Sequence, residues 1–597
     1  MADHNRLAGK GRLIFEKTEK PKKIKETLLR LEKYFADEWR LLIKLFVIVL
    51  MIVICAVYVP KLQSQVIDHI TNGEFGKVSG GLATMALVYV VQCICTWMQG
   101  CMGAKLSQNI VKQMRKDLFD NMVCLPICYL DKHSHGDLMS RMTNDIENIS
   151  NTVSQSVSSM FSGIFTIIGT VCMMFYLCPK LAALSCITVI MTVTATKFLS
   201  GIMRNFFQKR QELLGSLNGK AEEMINGYKT VIAYNGQEKI EEEFIRITDD
   251  LTKVGIYAEI ISGAMGPVMN AINNCSFVII AAFGGYFALK GDISIGIISA
   301  FIVYAKQFGR PISELAQVYG QIQTAIAGAE RVFEIIDEKA EDKSGSTNMD
   351  KSRGILNFEH INFSYNQGKQ VLTDFSMQVN EGEKIALVGA TGSGKTTVVN
   401  LLMRFYEVDS GEILIDGVNI KDISCDELRR NIAIVLQDTV FFEDTIQNNL
   451  KYSRENASDA EMIEATKLSH CHNMIKQLPS GYQTYLKGKG DNLSQGQKQL
   501  LAIARAFLAQ PKILILDEAT SNIDTRTEKR IQDAMTQLMK NRTSLIIAHR
   551  LSTIQDADCI IVMDQGRIIE KGKHDELIQK HGKYYELYMT QFAGISI

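Results

Sequence analysis

The stretch best suited to chemistry is Gly389-Ala390-Thr391-Gly392-Ser393-Gly394-Lys395-Thr396. It fits G-x-x-x-x-G-K-[ST], a loop whose glycines let backbone amides approach phosphate oxygens. The apolar residues Lys384 to Val388 read as a strand before it, and Thr397 to Phe405 read as a helix after it. Such a loop needs that context, because the helix N-terminus adds its own N–H groups to the anion site. Lys395 would neutralise the β- and γ-phosphates, and Thr396 would offer its hydroxyl to Mg²⁺. Other polar groups stand at the ends of apolar stretches. Asp517 and Glu518 close Ile513 to Leu516, and His549 follows Ser544 to Ala548. Adjacent carboxylates at a strand end are poor core material, and Asp517 is well placed to hold a cation.

The elements around these residues belong to two kinds of chain. The 597 residues are enough for several domains, and 46% of them are hydrophobic. That excess lies in the first half. Lys+Arg and Asp+Glu are both 65, so no net charge points to nucleic acid. The 13 cysteines are scattered, none in a C-x-x-C pair, and read as free thiols in membrane helices and a reducing cytosol. His470-Cys471-His472 would point apart on a helix and makes no metal site. Six apolar runs are long enough to suggest spans, which need about 20 mostly apolar residues. They are Leu41–Val59, Gly81–Trp97, Met160–Leu177, Leu181–Leu199, a run from near Gly263 to Leu289, and Ile293–Tyr304 continuing past Lys306 and Arg310. Asn270, Asn273 and Asn274 interrupt the fifth. The first run begins behind a long charged leader, too late and too long for an ordinary cleaved signal peptide.

Basic residues favour the cytoplasmic side. The leader Met1 to Arg40 carries eleven Lys/Arg, and the segments Cys101–Val157 and Gly201–Ile256 are also basic, whereas Lys61–Gly80 has only Lys61 and Lys77. The N-terminus and the phosphate-binding domain are therefore expected in the cytoplasm, and the short loops outside. Each long basic segment is expected to form a helical hairpin with arms of about 40 Å, which a motor domain could push. The tips are expected at His135–Asn148 and Leu217–Gly227, which contain glycine. Ile24 to Trp39 is amphipathic and fits a helix on the inner leaflet. The expected organisation is a cytoplasmic tail with interfacial helix at 1–40, an all-α six-helix transmembrane domain at 41–335, a linker at 336–353 and an α/β P-loop NTPase domain at 354–597.

The order P-loop, Leu493-Ser494-Gln495-Gly496-Gln497, then Ile513–Glu518 resembles the nucleotide-binding domain of ATP-binding cassette (ABC) proteins. With the apolar runs, Phe308–Leu315 and Ala329-Glu330-Arg331-Val332-Phe333, the chain from about Leu41 to Gln591 resembles an ABC exporter half-transporter. The resemblance implies ATP and Mg²⁺ as ligands and ATP hydrolysis coupled to transport. It places Tyr365 against adenine. It gives Gly389, Thr391, Gly392, Ser393, Gly394, Lys395, Thr396 and Thr397 to the phosphates. Thr396, Gln437 and Asp517 would hold Mg²⁺. Glu518 would be the general base, His549 the switch histidine and Gln437 the sensor loop. Ser494, Gly496 and Gln497 would meet the γ-phosphate of ATP held by a partner, and Asp524 would lie in the loop crossing the dimer interface. One P-loop and one signature cannot complete an ATP site alone, so a second half-transporter is implied.

The signature departs from the family pattern, with Gln495 where the middle glycine of LSGGQ stands. A side chain is added, and any positive φ there becomes costly. Thr484–Gly490 lacks the glutamate common in exporters. An altered signature beside an intact Glu518 resembles the catalytically intact subunit of heterodimeric bacterial multidrug-type exporters. This implies a different partner with a normal signature and a degenerate base, in a multi-pass plasma-membrane complex with amphipathic small molecules as substrate. Trp97, Gln99, Phe165, Met173, Met174, Asn270, Asn274, Tyr304 and Gln307 are candidate cavity residues. A homodimeric lipid or peptide exporter and an ATP-gated channel or regulator on the same scaffold are the alternatives.

Overall fold

A computed structural model describes residues 23–343, 345, 347, 349, 352–366, 368–436, 439–517, 524–548 and 554–593, without the side chains of 309, 310, 312, 313, 316, 317, 319, 525 and 591–593. The chain divides into two compact units. The first runs to Lys339, Pro126–Tyr129 excepted, and the second begins at Ala340.

The first unit is helical: α1 Ile24–Asp37, α2 Trp39–Thr71, α3 Phe75–Met122, α4 His135–Leu177, α5 Pro179–Asn226, α6 Gln237–Leu289, α7 Ile295–Lys306 and α8 Gly309–Asp337. Helices α2 to α6 are each long and apolar enough to cross a membrane. The sixth run is different: α7 has 12 residues, and the chain turns at Gln307-Phe308 before α8. Pro311 explains the break, because it has no N–H for the carbonyl four residues earlier, that of Gln307. A second proline, Pro60, lies inside α2. It cannot bond the Ala56 carbonyl, which instead accepts from Gln307 Nε2 at 3.4 Å, and the neighbouring Val57 carbonyl accepts from Tyr304 Oη at 2.8 Å. Tyr304 is fully buried with Val53, Val57, Met174, Leu181, Ile280 and Phe301.

The first hairpin reversal lies outside the expected tip, and the second starts at the last residue of its expected tip. His135–Asn148 is helix, and the turn precedes it, between Met122 and His135, around Pro126. Leu217–Asn226 is also helix, and the second turn follows at Gly227 and Asn235-Gly236, with Asn235 at φ 51°. Gly136 and Gly219 stay helical because a lone glycine there costs only about 1 kcal/mol. Pro126 and a left-handed asparagine are the stronger breakers.

Two π-helical turns, Arg141–Asp145 and Thr152–Ser156, interrupt α4. Buried Asp145 forms a bidentate pair with Arg331 of α8, Oδ2 to Nε at 2.9 Å and Oδ1 to Nη2 at 2.5 Å. Arg141 adds bonds to Glu334 and to the Arg331 carbonyl, and Ser156 donates to Gln321 Oε1 at 2.8 Å. At the other end of the unit, Asp68 of α2 accepts from Ser294 Oγ and Gly296 N–H at the start of α7.

The second unit holds two sheets. β1 Leu356–Phe363, β2 Leu372–Val379, β4 Ser410–Ile415 and β5 Val418–Asn419 form an antiparallel sheet ordered β2-β1-β4-β5. β3 Lys384–Val388, β6 Ile432–Val435, β7 Ile513–Asp517, β8 Thr543–Ile547, β9 Cys559–Asp564 and β10 Arg567–Gly572 form the other, ordered β10-β9-β3-β8-β7-β6 and parallel except for β10. Its central strands are apolar on both faces, as a sheet covered on two sides requires. Ala386, Val388, Leu514 and Leu516 enter the core shared with α10 Gln495–Ala509 and α11 Thr525–Met539. Ile385, Leu387, Ile513 and Ile515 enter the core shared with the antiparallel sheet and α9 Lys395–Leu402. The expected linker is partly fixed: Glu341 makes a bidentate pair with Arg429 at 2.6 and 2.8 Å, and Met349 is buried.

Candidate functional site

The site lies at the C-terminal edge of the parallel sheet. Leu387 of β3 and Asp517 of β7 pair with the same residue, Ile547 of β8, from opposite sides. Two strand spacings, about 10 Å, therefore separate the phosphate-loop strand from the Asp517 carboxylate. Gly389 leaves β3, and the loop turns through Gly392 at φ 85° and Gly394 at φ 104°, values that favour glycine. A Cβ on Gly394 would lie 2.8 Å from Leu372 Cδ2, and one on Gly389 would collide with the Met563 carbonyl. Gly394 then caps α9, whose N-terminal amides and dipole face the loop.

Lys395 is 7% exposed and folds back over the loop, donating to the carbonyls of Gly389 at 2.8 Å and Ala390 at 3.0 Å and to Ser393 Oγ at 3.4 Å. Burial pushes its ammonium below the usual lysine range, and the Asp517 carboxylate opposes that shift. A buried cation ringed by loop carbonyls can exchange them for phosphate oxygens. Ser393 and Thr397 are buried, while Thr391, Gly392 and Thr396 are exposed. Tyr365 is drawn to the same helix: its hydroxyl bonds Thr397 Oγ1 at 3.2 Å and accepts from Asn400 Nδ2 at 3.1 Å. Its ring meets Phe363 and Tyr406 edge-on, each 4.9 Å away between centroids.

Thr396 and Asp517 offer only oxygen donors, which suits a hard cation. Among the described residues no group of three or more His, Cys, Asp or Glu could hold a metal. These oxygen donors fit Mg²⁺, which Thr396 and Asp517 would help hold and which would supply positive charge beside a bound phosphate.

The signature segment forms the start of α10. Ser494 caps it, accepting from Gln497 N–H at 3.3 Å, while Gln497 Oε1 accepts from Ser494 N–H at 2.9 Å. This capping box satisfies two of the helix's unpaired donors. Gly496 is buried behind exposed Ser494 and Gln495. Gln495 is the first helical residue and has no positive φ, which corrects the expectation of backbone strain there. The substitution adds an exposed side chain to an ordinary helix start. Asp524 likewise caps α11, accepting from Thr527 N–H at 2.9 Å, and that bond holds its carboxyl below the usual range.

Gln437, Glu518 and His549 lie outside the described residues. Asn449 and Arg505 were not singled out from sequence, yet they fix the segment that follows Gln437. Buried Asn449 accepts from Phe442 N–H and donates to the Phe442 carbonyl, both at 2.9 Å, and Arg505 reaches the Asn449 and Val440 carbonyls. Asn400 was also missed, since only folding brings it to Tyr365. Of the candidate cavity residues, Tyr304 and Met174 are packed between helices, while Trp97, Asn270 and Asn274 are exposed.

The ABC transporter transmembrane region family matches residues 42–312, and the ABC transporter family of ATP-binding domains matches residues 372–521. A Bacillus subtilis relative, the uncharacterized ABC transporter ATP-binding protein YfiC, is 45% identical over 585 residues, covering 97% of this chain and 96% of its own. The chain is an ABC exporter half-transporter. The exporter is also 40% identical over 514 residues to the fatty acid ABC transporter ATP-binding/permease protein of Mycobacterium tuberculosis, covering 86% of this chain and 82% of that one. A solved bacterial Atm1-family ABC exporter with ATP bound matches it with a TM-score of 0.76 and 27% identity, over 92% of this chain and 98% of that one. This exporter is therefore a multi-pass membrane protein that couples ATP hydrolysis to transport and works as a dimer.

Proposed function

We propose that this exporter moves amphipathic small molecules, drug-like compounds or lipids, out across the plasma membrane by alternating access, paired with a different half-transporter. The observation that carries the reading is one phosphate loop and one capped signature helix on a single cassette fused to the helical unit. A cassette built this way needs a second one to cover its nucleotide. The fatty-acid cargo named for the Mycobacterium relative supports lipid-like substrates. The basic leader and basic hairpins support a cytoplasmic N-terminus and cassette.

In this reading Lys395 and the loop amides hold the ATP phosphates, and Tyr365 lies beside adenine. Thr396, Gln437 and Asp517 would hold Mg²⁺, which would supply positive charge against the phosphates. Glu518 takes the proton from the attacking water, and His549 contacts the γ-phosphate. Ser494, Gly496 and Gln497 serve the partner's nucleotide, and Asp524 faces the dimer seam. Closure of two cassettes over ATP turns the cavity outward. Moving an inward-to-outward ratio from 1:99 to 99:1 requires about 5.5 kcal/mol of preference for the closed state. Charge-assisted contacts at about 1.5–3 kcal/mol each supply that from a few bonds.

The test is Glu518→Gln in the purified complex. ATP binding is expected to persist while turnover falls by about 10²–10⁴-fold. Normal turnover would remove Glu518 from the role of base. A second reading, a homodimer, is favoured by the unstrained helical backbone at Gln495, which leaves the signature foldable. Subunit composition after purification through a tag on this chain decides between them.

A further inference from the structure

Helix α5 carries a feature that nucleotide chemistry leaves unused. Its buried residues end at Thr196, and none follows to Asn226. Across that boundary Thr194, Lys197, Phe198, Gly201, Ile202 and Asn205 line a groove of about 470 Å³. Lys197 falls within the fourth apolar run. At 1.5 Å per residue it lies about 27 Å along the helix from Pro179. The hydrocarbon core is about 30 Å thick. With the Pro179 end outside, Lys197 reaches the depth of the inner-leaflet headgroups. Arg204, seven residues on and about 10 Å deeper, shares its face.

Three other basic residues of α5 are neutralised: Lys180 by Asp292 at 3.1 Å, Arg210 by Glu259 at 2.9 Å and Lys220 by Glu243 at 2.7 Å, while exposed Lys209 stands on another side of the helix. Among the described residues, exposed Lys197 and Arg204 have no ion pair. A cation at the edge of hydrocarbon is costly unless it reaches water or meets an anion. Here Phe198 and Ile202 add an apolar floor beside the charges.

We infer that this groove takes the anionic headgroup, carboxylate or phosphate, of an amphiphile from the inner leaflet. Lys197 and Arg204 engage the head, and Phe198 and Ile202 engage the first part of the tail. The inference rests on the export reading and narrows its cargo.

The experiment uses the full-length exporter, with any half-transporter that copurifies, in phosphatidylcholine vesicles at fixed salt. ATP turnover is followed against dodecanoate, phosphatidic acid, dodecanol and dodecyltrimethylammonium. Stimulation by dodecanoate or phosphatidic acid but not by the other two is expected, and which of the two acts separates a carboxylate head from a phosphate head. Lys197→Gln and Arg204→Gln should each raise the half-stimulating concentration about tenfold or more. Lys197→Arg should stay near wild type, as should Lys209→Gln, which alters a lysine on another side of α5. Equal stimulation of wild type and Lys197→Gln would overturn the inference, as would stimulation by dodecanol or the quaternary ammonium alone. Loss of a copurifying subunit in Lys197→Gln would also overturn it, because the lysine would then seat on the partner. In each of these outcomes the wild-type exporter still assembles or still responds to an amphiphile, so the export reading stands. That reading fails only when no amphiphile of any charge alters turnover.

Discussion

The cassette and the membrane-spanning unit hold their parts in place by different means. In the cassette, β3 buries Ile385 and Leu387 on one face and Ala386 and Val388 on the other, so its end, and the loop that leaves it, are positioned by backbone. The loop's own contacts are largely main chain, including the carbonyls that hold Lys395. In the membrane unit, helices up to 53 residues long are tied by a few polar side chains: Asp145 to Arg331, Asp68 to the start of α7, and Tyr304 to the Val57 carbonyl. The placement of the phosphate loop is thus set by backbone and is sensitive to an added Cβ. The membrane unit can be retuned by one polar residue.

The sharpest challenge to this contrast is Asp145→Ala. It removes both bonds that buried Asp145 accepts from Arg331, and breaking a buried pair costs about 3–5 kcal/mol. Thermal unfolding of the full chain should fall accordingly, and a loss under about 1 kcal/mol would show that packing, not the clasp, joins α4 to α8. Gly394→Val tests the cassette side. Left-handed strain and contact with Leu372 should cost about 1–3 kcal/mol, concentrated in the loop. Nucleotide titration should then show affinity reduced by about tenfold with unfolding much less changed. Tyr304→Phe removes one bond inside the helical unit and should cost about 0.6 kcal/mol. A larger loss would mean the Pro60 region depends on that hydroxyl alone. The smallest effect concerns His472. Burial, then Lys476 and Lys467, hold its imidazole below the ordinary value, so it is neutral in the fold. The unfolded chain takes the proton first, at about pH 6.5. Stability from this group is therefore complete above about pH 6.5 and declines as pH falls toward the depressed folded value. His472→Asn should flatten that decline in hydrogen exchange around His472 and around Tyr482, whose hydroxyl lies 2.7 Å from His472 Nδ1.

Much of this architecture was legible because local rules and tertiary demands agreed. Lys384–Val388 is a strand with the bounds read from its apolar run, and the phosphate loop joins it to a helix as its glycines require. Five apolar runs lie in long helices. Legibility failed where one residue's effect depended on distant partners. The first turn followed Pro126, and the second began at Gly227, the last residue of the expected tip, and closed at Asn235-Gly236, while Gly136 and Gly219 were absorbed by long helices. The sixth run broke because Pro311 unbonds a carbonyl. Gln495 raised an expectation of strain, since spacing cannot reveal that the third signature residue starts a helix. Asp145 and Arg331 gave no mutual signal because only folding brings them together. Gln437, Glu518 and His549 lie outside the described residues, so for them the reading still rests on sequence.

The gap at Pro60 has a mechanical consequence. One rung of α2 is already missing there, so tilting Lys61–Thr71 against the rest of the helix ruptures no intact main-chain bond at that point. At the gap itself the Val57 and Ala56 carbonyls are held by a phenol at the end of α7 and a carboxamide in the turn after it, which can let go and re-form at little expense, while Asp68 keeps the tilting segment fastened to the start of α7. The helix therefore carries a ready-made elbow, latched from outside itself.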